Sequence, residues 1–116
     1  DRLHLLHATI HIGAVAAGAG GNYAAWSAKE TMQVQEISIW ARAIAGTADP
    51  TVDVRDDGAT ILTAATTVAA ADTVYTASID PRLSTIAEGS KVSIYITTDG
   101  DGSLSDLTVD IAYYAS

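Results

Sequence analysis

The sequence predicts an all-β domain: an antiparallel, jelly-roll-like β-sandwich of about seven or eight strands, with a small-residue arm at its amino end. Three observations carry this. Of the apolar residues, 22 are Ala, and 19 of the 34 larger ones are Ile or Val; with 14 Thr, β-branched side chains dominate and suit a pleated surface. Apolar positions recur at every second residue in successive stretches bounded by Gly, Asp and Pro. No stretch keeps a 3.6-residue period over the length of a helix, and one helical turn is expected around residues 81–86. A chain of 116 residues fits one domain. Residues 1–30 read as a terminal strand and a Gly/Ala-rich arm, and residues 31–116 as the sandwich.

Residues 7–12 alternate, with Ala8, Ile10 and Ile12 on one side and His7, Thr9 and His11 on the other, which is a half-buried strand. Residues 13–21 hold only Gly, Ala and Val, so they form either a flexible loop or a segment packed closely against another backbone, with Tyr23 and Trp26 as anchors. From Thr31 the apolar phase runs Met32, Val34, then shifts to Ile37, Ile39, Ala41 and Ala43. That shift predicts one long bent strand with a β-bulge near Gln35 and Glu36.

Asp56-Asp57-Gly58, between Val52-Asp53-Val54-Arg55 and Thr60-Ile61-Leu62, predicts a tight hairpin, because Asp-Gly tolerates the positive φ angles of such turns. Residues 63–71 are Ala/Thr-rich and ambiguous. Residues 73–79 read as a strand that Asp80-Pro81 ends. Residues 92–97 and 107–114 alternate once more and are expected to pair with each other as an antiparallel hairpin across the polar loop of residues 99–103.

Charge narrows the function classes. The net charge of −8 repels nucleic-acid phosphates, and no Lys/Arg cluster opposes it. Residues 1–48 sum to zero, so the whole excess lies in residues 49–116, which suggests one face turned to water and another to a neighbour. Without Cys there is no disulfide, thiolate metal site or thiol nucleophile. No apolar run approaches the ~18 residues of a membrane-spanning helix, and no membrane partner is expected.

Chemistry-bearing patterns are sparse. His7 and His11 share one side of a strand but stand roughly 13 Å apart, too far for one ion. Asp99, Asp101, Ser103 and Asp106 imitate the opening of a calcium loop, yet Leu104 stands where such a loop needs its glycine. A solvated acidic loop is the preferred reading; a calcium site there is the alternative, and no other cofactor is indicated. No Ser elbow, nucleotide-binding glycine loop or convincing carboxylate pair is present, so the chain reads as no enzyme and catalytic residues are assigned to none. Trp26, Trp40, Tyr95, Tyr113 and Tyr114 could stack on sugar rings, or fill the core and interfaces of a chain lacking Phe. His7, His11, Tyr23, Trp26, Trp40 and Arg42 are the candidate interface residues.

From about Ile37 to Tyr114 the order of motifs resembles a β-sandwich module of tailed-bacteriophage structural proteins. The carrying residues are Trp40-Ala41-Arg42 with Gly46-Thr47-Ala48-Asp49-Pro50-Thr51, then Val52-Asp53-Val54-Arg55-Asp56-Asp57-Gly58 with Thr60-Ile61-Leu62-Thr63. Thr85-Ile86-Ala87-Glu88-Gly89 and Gly102-Ser103-Leu104-Ser105-Asp106-Leu107-Thr108-Val109 complete them. The resemblance implies a non-enzymatic virion component on the head, tail or a fibre. A compact acidic domain with a small-residue arm suits a capsid decoration or cement protein, with the major capsid protein as partner and a homotrimer as the arrangement expected by analogy. The alternative is a tail-fibre or baseplate module that binds a host-surface glycan through exposed aromatics.

Overall fold

The computed structural model of the chain describes residues 5–16, 18–46, 48–98 and 102–115. In chain order the strands are β1 (Leu5–Val15), β2 (Gly21–Ser27), β3 (Met32–Ala45), β4 (Thr51–Asp56), β5 (Ala59–Thr60), β6 (Thr66–Thr67), β7 (Tyr75–Thr76), β8 (Thr85–Ile86), β9 (Lys91–Thr97) and β10 (Ser103–Ala115). The first sheet has the order β1-β10-β3-β7, with β8 also on β3; the second has β2-β9-β4-β5, with β6 also on β4. If the short pairs β5/β6 and β7/β8 each count as one interrupted strand, the eight positions read 1-8-3-6 and 2-7-4-5. That interleaving is the double Greek key of a jelly roll, so the expected fold class is the one found.

The period-2 pattern explains the core. Ile37, Ile39, Leu107, Val109 and Ile111 point inward from the first sheet, and Val52, Val54, Val92, Ile94 and Ile96 from the second; all are fully buried. Their alternating neighbours form the two outer faces. In β3 the phase shift is a bulge: Glu36 pairs with Ala112 and Val34 with Tyr113, which leaves Gln35 as the extra residue. Without it Val34 and Met32 would face solvent, and both are buried.

A second phase change crosses three strands at one level. Ile12 and Val15, Leu107 and Leu104, and Ala41 and Ile44 are inward residues spaced by three rather than two, while the pairing register stays constant. Asp106, opposite Arg42 in this row, takes a left-handed conformation with φ 51°. Beyond the kink the sheet ends in small residues around an open apolar depression of about 340 Å³ lined by Ala14, Val15, Ala43, Ile44 and Leu104, among others.

The Asp-Gly turn forms as expected: Asp57 and Gly58 both have positive φ, at 52° and 88°, and Arg55 and Asp56 pair with Thr60 and Ala59. The helical turn is a short 3-10 segment, Pro81–Leu83, whose first turn is capped by the Asp80 carboxylate accepting from Arg82 N at 3.0 Å.

Three expectations need revision. β9 and β10 do not form a hairpin: β9 lies between β2 and β4, β10 between β1 and β3, and the chain between them passes from one sheet to the other. The inward residues of each are buried in the core between the two sheets, β9 contributing from the second sheet and β10 from the first. The amino-terminal segment is not a projecting arm in its described part, since β1 and β2 are the edge strands of the two sheets. The small residues between them serve the crossover: a Cβ on Gly20 would stand 2.7 Å from the Ile96 carbonyl oxygen. In residues 73–79, finally, only Tyr75 and Thr76 pair with β3, while Ile79 bridges to Leu62.

Candidate functional site

Jelly-roll pairing gathers outward residues of β1, β10 and β3, which are distant in sequence, onto one face. Register places them in rows: His11, Thr108 and Trp40 in one, Thr9, Asp110 and Ser38 in the next with Thr76 of β7 beyond, then His7, Ala112 and Glu36. Strand geometry sets these rows roughly 7 Å apart, with about 5 Å between neighbours along a row. In these three rows a single aromatic ring, Trp40, is thus bordered by imidazoles, hydroxyls and the carboxylates of Asp110 and Glu36.

Side-chain bonds hold it in place. The Asp110 carboxylate accepts from Thr9 Oγ1 at 2.8 Å and lies 2.9 Å from His7 Nδ1. Its side chain is 22 % exposed against 53 % for His7. His11 Nδ1 lies 3.1 Å from Thr108 Oγ1, and its Nε2 lies 3.8 Å from Asp106. Thr108 is buried between His11 and Trp40, whereas both imidazoles reach solvent. Trp40 is half-buried, and its inward neighbours Ile39 and Ala41 are sealed in the core, so its backbone is fixed.

Of the candidate interface residues, His7, His11, Trp40 and Arg42 share the first sheet, and Arg42 is exposed at the kink. Tyr23 and Trp26 do not join them. They lie on β2 opposite Ile94 and Val92 and pack against the core, with the Tyr23 hydroxyl donating to the Ala19 carbonyl. Tyr113 also packs inward, 3.4 Å from Glu30; burial first, then the charge and hydrogen bond of Glu30, raises its pKa. Tyr114 stands on the outer face opposite Leu5 and Gln33. Tyr95 is outward on the second sheet, beneath the Arg55 guanidinium at 3.7 Å.

Asp99 and Asp101 of the calcium alternative lie outside the described residues, while Ser103 and Asp106 belong to β10. Among the described residues no three His, Asp or Glu side chains converge on a metal position. Asp110 and Thr108 were missed as site residues. Alternation alone places Asp110 on an outward face, but its neighbours, Thr9 and Ser38, are defined by strand order.

No family model and no curated protein matches the chain. Among solved structures it is similar to the EclA C-terminal domain, a sugar-binding protein, with a TM-score of 0.52 and 14 % identity over 90 % of this chain and 78 % of that one. At that identity the likeness is one of fold: a nearly all-β, antiparallel, two-sheet domain.

Proposed function

We propose that the chain is a non-enzymatic glycan-binding module whose first sheet receives a sugar ring on Trp40. The observation that carries this is the row of His11, Thr108 and Trp40 beside the row of Thr9, Asp110 and Ser38. A pyranose offers an apolar C–H face to an indole and a rim of hydroxyls to hydrogen-bonding side chains. Trp40 supplies the first contact; His11, Ser38 and Thr9 supply donors and acceptors, and Asp110 accepts. The bonds from Thr9 and His7 orient that carboxylate before a ligand arrives, which lowers the ordering cost of binding. The sugar-binding fold neighbour lends support, and jelly rolls as a class serve lectin domains. In a phage this is the tail-fibre or baseplate reading, with a host-surface glycan as the target.

Trp40→Ala tests it on an array of neutral oligosaccharides. Binding of the parent chain with at least tenfold weakening in the variant, at unchanged melting temperature, is the expected result. An array on which neither protein binds, or on which both bind alike, removes the proposal.

A second reading, capsid decoration through self-association and contact with the major capsid protein, has its own observation. Among the described residues β1 is an edge strand, unpaired on its outer side, of eleven residues with no charged residue and no Pro, and Leu5 and Leu6 on it are exposed. Free edges are ordinarily guarded by Lys, Pro or a bulge. This reading expects Leu6→Lys, at an exposed position of that edge, to lower the oligomeric mass and abolish co-sedimentation with empty capsids. The glycan reading expects neither change.

A further inference from the structure

On the opposite sheet, outward residues of β2, β4 and β9 surround a depression of about 530 Å³ lined by Asn22, Arg55, Asp57, Gly58, Lys91 and Ser93. We infer that this depression is a second binding site, for a carboxylate-bearing sugar such as a uronic acid. It lies on the other face of the sandwich from Trp40 and does not depend on that site.

Its hydrogen-bonding balance points to the ligand. The Arg55 guanidinium sits over the Tyr95 ring, 3.7 Å from its centroid, and donates through Nε to Asp53 Oδ2 at 3.1 Å. Asp53, nearly buried, also accepts from Thr60 Oγ1, so both its oxygens are occupied. The Arg55 plane is thereby locked, and among the described residues its terminal nitrogens bond to nothing in this chain. Among the described residues the Lys91 ammonium makes no ion pair within 4 Å either; its bond to Asp57 Oδ1, at 2.8 Å, is through the backbone N–H. Ser93 Oγ lies 3.4 Å from Asn22 Oδ1, which directs the Asn22 amide nitrogen elsewhere.

The depression therefore holds unspent donors in Arg55, Lys91 and Asn22, two of them cationic. A planar arginine fork presented this way matches a carboxylate. Acceptors also remain, chief among them the second oxygen of Asp57, the one that carries charge. A bare anion gives that oxygen only repulsion, whereas a uronate presents hydroxyl donors beside its carboxylate and uses both kinds of group. In a chain of net charge −8 this is a local exception, built from two of only six Lys and Arg residues.

The test is an amide-resolved NMR titration of the whole chain with sodium glucuronate, methyl glucoside and sodium sulfate, at one ionic strength fixed with NaCl. Glucuronate should shift the signals of Asn22, Arg55, Lys91 and Ser93 to saturation. Methyl glucoside should leave them in place, and sulfate should bind at least tenfold more weakly than glucuronate. Lys91→Gln, at an exposed position, and Arg55→Lys should each weaken glucuronate at least tenfold, while Trp40→Ala should not change it. Equal effects of glucuronate and glucoside, sulfate binding as tightly as glucuronate, or full affinity in Lys91→Gln would each overturn the assignment.

Discussion

Asp56 offers a sharp test of how the sandwich end is built. It is the last residue of β4 and pairs with Val92, so it falls in the inward row that Val52 and Val54 begin. Its Oδ1 is buried without a hydrogen-bond partner. Burial, with a smaller contribution from the neighbouring Asp57 charge, raises its pKa, and a hydrogen bond from Ser90 offsets part of that. Burial penalises the charged form of this carboxylate, and the amide of asparagine carries no charge to desolvate. The side chain is only partly covered and keeps its Ser90 bond, so the penalty is small and Asp56→Asn should stabilise the domain by up to about 1 kcal/mol at pH 7. Because the folded pKa is the higher one, the folded state binds more protons between the two values. Stability contributed by this group is therefore highest in acid, falls as pH rises through that window, and stays at its lower level above it. The advantage of the Asn variant is full at neutral pH and closes below about pH 3.8, where Asp56 is protonated in both states. In thermal melts the expected gain is roughly 3–5 °C at pH 7, and close to none at pH 3. A variant less stable than the parent at pH 7, or one equally advantaged at both pH values, would refute the assignment of the penalty to a buried charge.

Other substitutions probe the remaining layers. Ile39→Ala, at the centre of the first sheet's inward row, should cost about 3–4 kcal/mol in urea unfolding with an unchanged m-value. Thr60→Val should cost about 1–2 kcal/mol because it strips a donor from the nearly buried Asp53, and Thr60→Ser should recover most of the loss. Gly20→Ala should lower stability by about 1–3 kcal/mol in the same assay, since its Cβ would press on the Ile96 carbonyl unless the crossover between sheets moves.

What the sequence discloses is what short-range physics fixes. The β3 bulge was legible because a phase shift has no other solution that buries both Val34 and Ile37, and the turn at Asp57 because few residue pairs accept two positive φ angles. Strand neighbours were not legible. β9 and β10 are consecutive and both alternate, which fits a hairpin and a sheet-to-sheet crossing equally well; the choice is set by which strands pair at long range, with β2 and β4 flanking β9 and β1 and β3 flanking β10. The site shared that fate. His7, His11 and Trp40 could be named as outward residues from alternation alone, but Asp110 joins them only because β10 is inserted between β1 and β3. Tyr23 and Trp26 are only partly exposed and pack against the core, because the shifted register of β2 against β9 sets them opposite the inward residues Ile94 and Val92.

The same interleaving changes the meaning of the charge asymmetry. Residues 1–48 are neutral in sum and residues 49–116 carry the entire excess, yet β10 from the acidic part lies between β1 and β3 from the neutral part. The split along the chain is therefore not a split in space, and neither outer face is free of carboxylates. For a neutral glycan on the Trp40 face this matters little, since Asp110 then serves as an acceptor. For an anionic sugar at Arg55 and Lys91 it matters at long range: the approaching ligand meets the field of a net −8 molecule before it meets two local cations. Added salt screens that repulsion over a Debye length of about 10 Å at 0.1 M, while the close contacts to the locked Arg55 fork are screened less. Uronate affinity should consequently fall less with salt than two exposed cations alone would produce, and a steep fall would show that the short-range fork contributes little.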